Sequence, residues 1–576
     1  MANTSKIIVL ALILLTSFPI KILSQNEEDF HRLARKSIES YEEKVKKEQP
    51  NYDSATWHGA TYIATSSRGH ILPNGFFNYK KGKIQMKGDV VMDFSDINTK
   101  RTEEGNYATG AYQFTDTKRN NKYEHEDLTF RLDYLFDKHN TLSFDFFQKY
   151  RQDNIGETAT LYKRASDDNS SETYEDQQRK TKDFNCGSLV EYLHKFNVGG
   201  SFSVRAYVKY DNTPTDIESF VWGKEIVYDA KNDHQNHNST DTKAQIIYHS
   251  PIWKNVSFSL REKIGQTDTR IADAVTTFDY DIKQSLSSGE INFKSGGYSL
   301  TLQGGYEIFR QDIKTLADNA KEDINITYRD FLYNIKGSWK INARNTLSIS
   351  FEHSIDRPTY TQLYPFIHVG SNIGSRVKGN EDLQPSVSNT FQAKYTYVVP
   401  HLTLNTILTY QKRSDDITGI ATYDEVEQMN VKTWINDAEY NTFKTAIEGE
   451  MRFGMFSMTM GARAQRLWYD GEHVSSDKAW SYSFKARPKF QLRNDWTVST
   501  VVLYNGREEH LHWYNNPYTY LALRFQKQLG DWAVYAFIQD ILNAHQVKNE
   551  YNKGNAILTT NNYKARALIM GCSFRF

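Results

Sequence analysis

The sequence predicts an all-β fold, a transmembrane antiparallel β-barrel of about 22 strands with short turns at one end and long loops at the other. Three observations lead to this prediction. Apolar and polar residues alternate along the chain from Trp57 onward, the alternating segments come in pairs joined by short polar turns, and the chain stops on Phe576 inside its last such segment. A closed barrel leaves no strand edge unpaired, as hydrocarbon requires.

The first 24 residues have the pattern of a secretory signal peptide. Lys6 precedes the apolar run from Ile7 to Leu15, and a less regular stretch ends at Ser24 before an acidic segment. The apolar run is too short to cross a bilayer as a helix. We therefore expect export, cleavage near Ser24 and no helical membrane anchor.

Residues 25–56 form a predicted periplasmic N-terminal segment. Its apolar residues recur near helical spacing until Pro50, which predicts a short amphipathic helix that caps or enters the barrel. A linker with incidental amphipathicity is the alternative. The apolar positions are Phe30, Leu33, Ala34, Ile38, Tyr41 and Val45.

The composition agrees with a barrel, although by itself it resembles that of a soluble protein. Apolar residues make up 39% and charged residues 24%, because every second residue of a barrel strand is polar. The aromatic fraction of 14% suits girdles at two membrane interfaces. Only Cys186 and Cys572 occur, so no disulfide framework is predicted, and the net charge of +0 gives no reason to expect nucleic acid as a partner.

The clearest hairpin lies on either side of a turn at Asp137 to Asn140. Its outward positions are apolar and its inward positions are polar or charged, which a watery lumen tolerates and a dry sandwich core does not. The apolar set is Leu128, Phe130, Leu132, Tyr134, Phe136, Leu142, Phe144 and Phe146, and the polar set is Thr129, Arg131, Asp133, Ser143 and Asp145.

Turn signals and polar stretches set the predicted strand count. About ten short turns, taken as periplasmic, give roughly 22 strands, and the longer polar stretches between them are predicted to be extracellular loops. The turns lie near Lys81, Lys138, Val198, Trp253, Gly296, Ala343, Pro400, Gly454, Asn494 and Gly530. The predicted loops are 97–125, 153–180, 212–240, 267–278, 357–388, 414–438, 470–479, 506–515 and 544–562.

The last strand, Leu568 to Phe576, is predicted to close the barrel. Its even-numbered residues are apolar and face lipid, whereas Ile569, Gly571, Ser573 and Arg575 face the lumen. Phe574 and Phe576 are the predicted signal for the outer-membrane barrel-assembly machinery.

The segment from Arg357 to Pro385 carries a family resemblance. An Arg-Pro-x-Tyr-x-x-Leu-x-Pro-Phe motif and a Gly-Asn-x-x-Leu-x-Pro motif bracket a long loop, and the stretch from Gln539 to Asn543 and the turn at 78–83 match as well. The chain resembles the outer-membrane β-barrel family of TonB-dependent receptor-like proteins of the Bacteroidetes type. The motif positions are Arg357, Pro358, Tyr360, Leu363, Pro365, Phe366, Gly379, Asn380, Leu383 and Pro385.

The resemblance implies a barrel domain over residues 57–576 in the outer membrane of a Gram-negative bacterium. It also implies a globular plug before the barrel, yet only Gln25 to about Thr56 precede the first strand, so we expect a receptor-like barrel without a plug. Trp57 to Thr65 resembles the junction between plug and barrel. The lumen is then filled by the N-terminal segment, by inward-folded loops such as 357–388, or by a partner chain.

No catalytic constellation stands out in the sequence, so an enzyme is not expected, and neither is a cofactor. A hydrolase at the rim would need its activity to depend on a residue such as His510. No metal site is predicted, since His510 and His512 supply only two ligands in one strand and His234 with His237 make a similar pair.

The candidate ligand-binding residues lie in the motif loop and at the rim. Cationic members would attract an anionic solute and aromatic members would stack on a ligand. The alternatives are that Arg357, Arg376 and Lys378 pair with Glu381, Asp382 and neighbours, and that the aromatics belong to the outer girdle. The candidates are Arg357, Tyr360, Tyr364, Arg376, Lys378, Asn380, Trp513 and Tyr514.

The predicted barrel and the family resemblance together imply a pathway for solute uptake or passage. The alternative is a structural or assembly subunit that transports nothing and whose lumen is closed by a partner. Expected partners are outer-membrane lipid, the barrel-assembly machinery and a plug-like, lipoprotein or TonB partner.

Overall fold

The structure is a computed structural model that describes most of the chain after residue 55. The described residues are 56–67, 71–164, 170–223, 229–272, 276–317, 320–363, 368–369, 375–424, 429–471, 480–510, 513–544, 546–552, 555–563 and 566–576. The predicted signal peptide and all but the last residue of the predicted N-terminal helical segment lie outside these ranges, and both stay predictions.

Twenty-two strands form the wall of an antiparallel closed barrel, as predicted. They are β1 (Thr56–Ser66), β2 (Ile71–Lys81), β3 (Ile84–Asn106), β4 (Tyr112–Leu135), β5 (Asn140–Arg164), β6 (Ser170–Lys195), β7 (Ser201–Gly223), β8 (Asp229–His249), β9 (Val256–Ala272), β10 (Thr276–Ser295), β11 (Tyr298–Ala317), β12 (Ala320–Lys340), β13 (Asn345–Asp356), β16 (Ser386–Val399), β17 (Leu402–Asp424), β18 (Met429–Phe453), β19 (Phe456–Gly471), β20 (Trp480–Gln491), β21 (Trp496–Asn505), β24 (Tyr518–Leu529), β25 (Trp532–Gln539) and β28 (Ala567–Arg575).

Shorter elements lie in three of the connections. They are α1 (Tyr360–Leu363), β14 (His368–Val369), β15 (Ser375–Val377), β22 (Glu508–Glu509), β23 (Trp513–Asn515), β26 (Gln546–Asn552) and β27 (Asn555–Tyr563). In the described ranges α1 is the one α-helix. No helix there has the length and apolarity needed to cross a bilayer.

Each wall strand pairs with the next one along the chain, and β1 pairs with β28 to close the ring. The closing register runs from Ala60 opposite Arg575 to Ser66 opposite Ile569. Every wall strand therefore has a paired strand on each side. The first and last strands of the barrel pair with each other, so neither has an unpaired edge.

Side chains alternate between the two faces of the wall as the sequence predicts. In β28, Met570 is 52% exposed on the outer face, whereas Ile569 is 4% exposed on the inner face. The hairpin of β4 and β5 shows the same pattern, with Leu128 and Phe144 exposed outside and Ser143 buried inside. This alternation identifies the inward residue at each position of the barrel.

The ten predicted short turns all fall between observed wall strands. At the two-residue turns after β18 and β24, Gly454 and Gly530 adopt φ values of 52° and 62°, which favour glycine. The turn after β4 is held by Asp137, whose carboxylate accepts hydrogen bonds from the Asn140 side chain and the His139 amide. These bonds hold the pKa of Asp137 below its usual value.

The prediction of loops is wrong for several polar stretches, because they are strand. β3 and β4 run through most of 97–125, and β5 and β6 through most of 153–180, so polar β-ribbons extend beyond the bilayer. A spanning strand needs only about 9–11 residues, whereas β5 has 25. Backbone pairing does not depend on apolar side chains, and cross-strand contacts such as Lys100 with Asp116 at 2.9 Å accompany it. The stretches 212–240, 267–278 and 414–438 also lie largely in strands.

The connections after β21 and β25 continue the wall above shorter strands. β22 pairs with β23, β23 with β26, β26 with β27, and β27 with the outer half of β3, where Ala556 lies opposite Asn106. The predicted loops 506–515 and 544–562 therefore complete an upper tier of the barrel around its closing seam.

Candidate functional site

The inner wall of the barrel is polar, and on β4 to β7 its cations are paired with neighbouring carboxylates. Arg131 lies 3.0 Å from Asp133 and 3.1 Å from Asp145, and Arg205 lies 2.7 Å from Glu191. All five residues occupy inward positions, as predicted for Arg131, Asp133 and Asp145. Charged groups at bilayer depth that face inward indicate a wet lumen.

The motif loop, residues 357–385, packs against this inner wall through its described residues. Its Leu363 and Leu383 are each 1% exposed and contact a cluster that includes Phe278, Tyr280 and Ile313. Phe278 and Tyr280 share the inner face of β10, since the outer face carries exposed Ile291 and Phe293. Of the proposed ways to fill the lumen, an inward-folded loop at 357–388 is thus supported for its described residues.

Arg357 anchors the start of this loop in a nearly buried ion-pair network. Its guanidinium lies 2.6 Å from the Glu307 carboxylate and also contacts Asp330. The same guanidinium lies 4.5 Å from the centre of the Phe309 ring and 5.7 Å from that of Tyr328. The alternative prediction, that Arg357 pairs with Glu381 or Asp382, is correct in that Arg357 forms ion pairs. It is wrong about the partners, which are Glu307 and Asp330. The Arg357 side chain is only 11% exposed and is held by the wall, so its role is to position the loop.

Gln311 holds the next residue of the motif. Its amide nitrogen donates to the Pro358 carbonyl at 3.1 Å and to the Tyr280 hydroxyl at 2.7 Å. Gln311 is 1% exposed. Glu307, Gln311 and Asp330 were not identified from the sequence. Their polarity at inward positions of β11 and β12 is the only local signal, and it does not say which loop they contact.

Asn380, in the Gly-Asn-x-x-Leu-x-Pro motif, links that motif to β18 by a hydrogen bond. Its side-chain nitrogen donates to the Trp434 carbonyl at 3.0 Å, and its side-chain oxygen accepts from the Asp382 amide at 3.0 Å. Its backbone amide donates to the Gln362 carbonyl at 2.6 Å and so joins the two motifs. Asn380 is therefore positioned as an organiser of the loop.

The remaining candidates in this loop are less completely described. Lys378 is exposed, and its backbone amide donates to the Lys432 carbonyl at 2.9 Å. Tyr360 begins α1 and Arg376 lies in β15, and only their backbones are described. Tyr364 lies outside the described residues. A role of these residues in ligand binding stays a prediction.

The two rim aromatics belong to a compact hairpin of β22 and β23. The Trp513 ring stacks on the His510 ring with 3.5 Å between centroids and 14° between planes. The Arg507 guanidinium lies 3.8 Å from the centre of the Tyr514 ring, and Lys548 approaches Trp513 at 4.8 Å. The hairpin thus presents cations and aromatic rings together, a combination that suits contacts with anionic or planar groups.

The histidine candidates do not assemble into a metal centre in the described structure. Burial lowers the pKa of His510 despite the raising influence of Glu508, whose carboxylate is 3.7 Å away. His512 lies outside the described residues. His234, which lies 2.6 Å from Asp216, and His237 occupy opposite faces of β8. Within the described ranges no group of three or more His, Cys, Asp or Glu side chains could hold a metal ion.

Phe574 and Phe576 lie at the closing seam. The Phe574 ring is 4.8 Å from that of Trp532, and Phe576 exchanges backbone hydrogen bonds with Gly59. Both aromatic side chains thus accompany closure of the ring. Their recognition by the barrel-assembly machinery stays a prediction.

Comparisons with known proteins agree with this architecture. The model of the outer membrane protein β-barrel family matches residues 194–576. No curated protein matches the sequence. Among solved structures, the alcaligin outer membrane receptor FauA from Bordetella pertussis is similar, with a TM-score of 0.56 and 10% identity over 92% of this chain and 77% of that one.

Two further structures are similar to the same extent. The FrpB iron transporter from Neisseria meningitidis aligns with a TM-score of 0.59 and 10% identity over 90% of this chain and 81% of its own. The siderophore receptor PiuA from Acinetobacter baumannii aligns with a TM-score of 0.61 and 8% identity over 91% of this chain and 82% of its own. At such identities the likeness concerns the fold.

Proposed function

The chain belongs to the outer membrane protein β-barrel family and is an outer-membrane β-barrel of Gram-negative bacteria, and on this premise we propose that it forms a pathway for solute uptake or passage. The observation that carries the proposal is the charged inner wall of a barrel of 22 strands. Barrels of this size enclose a lumen wide enough for solutes when it is not filled. Ion pairs facing that lumen at bilayer depth require water there.

The similar solved structures support the proposal by analogy. They are named as a receptor for alcaligin, an iron transporter and a siderophore receptor. We propose the same general class of activity for this chain, passage of a solute through the barrel, without transferring their solutes. Energy from TonB, a lipoprotein or plug-like partner and the Bacteroidetes type are further proposals that rest on the motif resemblance alone. The absence of a plug, a departure from what that resemblance implies, is a proposal as well.

The motif loop supplies the part of the pathway that can discriminate. Because Leu363, Leu383 and Arg357 hold the ends of residues 357–385 against the inner wall, the loop narrows the lumen from one side. Asn380 keeps its two motifs together. We propose that this loop and the rim hairpin at Trp513 make the first contacts with solute, and that the chain has no enzymatic activity of its own.

Single-channel conductance of the refolded full chain in a planar bilayer tests the proposal. A second protein lacks residues 26–52, and a matched control carries the same residues in scrambled order. Steady conductance steps in the full chain support an open pathway. Steps seen only after deletion support a pathway gated by the N-terminal segment. In that second case, the scrambled control shows whether the sequence of the N-terminal segment or only its length closes the lumen.

No conductance in any of the three proteins would contradict an open pathway. It would favour the alternative function, a structural or assembly subunit whose lumen is closed. Purification from the native membrane would then identify the partner that closes it. Loss of a hydrolytic activity on His510→Ala would contradict the proposal that the chain is not an enzyme.

A further inference from the structure

We propose that Arg466, together with Trp468 and Trp480, binds the phosphate group of an outer-leaflet lipid. These three residues form a site on the outer surface of β19 and β20, which we call the Arg466 site. Because the site faces the membrane and not the lumen, the inference goes beyond the proposed solute pathway and does not depend on it. A lipid phosphate bound there would hold the barrel at the level of the lipid headgroups.

The strand register places the three side chains on the lipid-facing side of the wall. The outer face of β20 carries Trp480, Tyr482 and Phe484, since the residues between them are polar and Tyr482 is 55% exposed. Arg466 of β19 is paired directly with Trp480, and directly paired residues share a face of the sheet. Trp468 lies two residues beyond Arg466 in the same strand, so its ring lies on that face as well.

The Arg466 site lies at the extracellular boundary of the bilayer. β19 begins at Phe456, directly after the periplasmic turn at Gly454, and Arg466 is its eleventh residue. A strand crosses the hydrocarbon core with about 9–11 residues. Tryptophan suits this level, because its ring is apolar and its N–H is polar. Arg466 is therefore placed among lipid headgroups and not in the hydrocarbon.

The guanidinium of Arg466 is held by the two indole rings. It lies 5.1 Å from the centre of the Trp468 ring and 5.8 Å from that of Trp480, both within the range of cation–π attraction. Its Nε atom is buried and has no hydrogen-bond partner among the described residues. The two terminal nitrogens are not buried in this way, so they are the donors that a ligand can reach.

The charge of Arg466 is not balanced by a carboxylate in the part of the chain that the structure describes. On the same outer face, Glu439 forms an ion pair with Lys412. A cation beside hydrocarbon needs a counter-ion, because its own hydration is restricted there. The two indole rings supply only part of that stabilisation, and an anion on the membrane side would supply the rest.

A groove for an acyl chain runs from the Arg466 site toward the periplasmic side. Its floor consists of Ala462 and Ala464, the next outward residues of β19. On one side Tyr482 is paired with Ala464 and Phe484 with Ala462, and these two rings are 55% and 43% exposed. On the other side Ile447, 51% exposed, is paired with Ala462. Small residues between larger ones leave a channel along the strand.

The combination of a cation and an apolar groove identifies the class of ligand. Arginine binds phosphate through two parallel N–H···O hydrogen bonds, and phosphate is the anion that lipids carry at headgroup depth. An acyl chain attached to that phosphate would lie over Ala464 and Ala462. A free phosphate ion would gain nothing from the groove, so we assign the site to a phosphate-bearing lipid.

Arg329 is a matched control for Arg466. It lies on the outer face of β12, since it is paired with Ile308, which is 41% exposed, and is two residues from Phe331, which is 58% exposed. It is the twelfth residue of β12 counted from the periplasmic end at Lys340. Among the described residues no tryptophan ring lies over its guanidinium. The control thus has the same charge, face and approximate depth without the indole rings.

Native mass spectrometry of the refolded full chain in detergent tests the inference. The probes are dioleoyl phosphatidic acid and dioleoylglycerol, which has the same acyl chains without the phosphate. We expect phosphatidic acid to bind the wild type about tenfold more tightly than dioleoylglycerol. Arg466→Gln should weaken the binding of phosphatidic acid by about tenfold, whereas Arg329→Gln should change it by less than about twofold.

A second pair of variants tests the acyl groove. Ala464→Leu fills the groove and should weaken the binding of phosphatidic acid by about threefold or more. Ala393→Leu is its control, because Ala393 is an outward residue of β16, paired with Leu408, which is 42% exposed. Its affinity for phosphatidic acid should equal that of the wild type. Heat-modifiable electrophoretic mobility establishes that each variant is folded.

Three results would overturn the inference. The first is equal affinity of the wild type for the two lipids, and this comparison decides the matter even if a variant does not fold. The second is binding of phosphatidic acid that persists unchanged in folded Arg466→Gln. The third is displacement of phosphatidic acid by an equal concentration of inorganic phosphate, together with no effect of Ala464→Leu, which would identify free phosphate as the ligand. Channel conductance enters none of these results, so the proposed function is tested separately.

Discussion

Gly59 and Phe576 join the first strand of the barrel to the last residue of the chain. The Gly59 amide donates to the Phe576 carbonyl at 3.0 Å, and the Phe576 amide donates to the Gly59 carbonyl at 3.1 Å. The Phe576 ring covers the Gly59 backbone so closely that any Cβ there would collide with the ring. With the Phe576 ring in this position, residue 59 must lack a side chain.

Gly59→Ala should weaken closure of the barrel, because the added methyl group must displace the Phe576 ring or the backbone. We expect a loss of about 1–3 kcal/mol, as for other overpacked positions, and a smaller folded fraction. Heat-modifiable electrophoretic mobility after refolding measures that fraction.

Gly75→Ala is the matched control for the seam. A Cβ at Gly75 would have no neighbour closer than 3.7 Å, so its folded fraction should equal that of the wild type. Equal folded fractions for Gly59→Ala and Gly75→Ala would show that the ring over Gly59 moves without cost.

Arg357→Ala should destabilise the motif loop strongly. It leaves Glu307, which is 5% exposed, and Asp330 without their shared cation, and breaking such a buried pair typically costs about 3–5 kcal/mol. Denaturant unfolding and limited proteolysis should both report the loss. Arg357→Lys should recover part of it, since the charge remains but the planar contact with Phe309 is lost.

Arg452→Ala provides the comparison for an exposed pair. Arg452 contacts Glu450, and their side chains are 75% and 45% exposed. Such pairs contribute about 0–1 kcal/mol. An Arg357→Ala protein no less stable than Arg452→Ala would mean that the inner-wall network does not hold the loop.

Asn380→Ala should loosen the junction of the two motifs, because the Asp382 amide loses its acceptor and the Trp434 carbonyl loses its donor. Each bond contributes about 0.5–1.5 kcal/mol, so exchange of the Asp382 amide with deuterium should accelerate about tenfold. Glu381→Ala, an exposed change in the same loop, should leave that rate unaltered. Equal protection in both variants would remove Asn380 from its organising role.

The rim hairpin should open on acidification. Burial lowers the pKa of His510 below its ordinary 6.5, so the folded hairpin binds fewer protons than the unfolded one below that pH. Its stability is complete above about pH 6.5 and declines as the pH falls from there to the folded-state pKa. The protection factor of the His510 amide, which donates to the Trp513 carbonyl at 2.9 Å, measures this change.

His510→Phe should abolish the pH dependence, since the ring stack on Trp513 is kept and the titrating group is lost. His139→Phe, at an exposed turn on the periplasmic side, should leave it intact. A pH dependence that survives His510→Phe would assign the opening to another group.

Much of the wall could be predicted from local patterns. The alternation at Leu568 to Phe576 identified the lipid face of β28, and short polar turns such as the one at Asp137 marked the strand pairs. The prediction of loops was wrong for several polar stretches. A β-ribbon outside the bilayer has no apolar face, so its strands lack the alternation of apolar and polar residues that identifies a strand in the sequence. β5, which runs on to Arg164, is the clearest case.

The candidate site was predictable in part. The motifs located Arg357 and Asn380, and both lie in the loop on the inner wall. The anchoring partners Glu307, Gln311 and Asp330 were not foreseen, since they lie on β11 and β12 and meet the loop only because it folds against the inner wall, which no local pattern in the sequence shows.

By itself the sequence determined the barrel class, the faces of its strands and its periplasmic turns, because period-two alternation and turn chemistry are properties of neighbouring residues. Only the tertiary structure decided which loop meets which wall and that Lys489 and Arg524 lie on one face of the wall, two strands apart. The reason is the register between strands, which is set by pairing around the closed ring and places distant residues side by side.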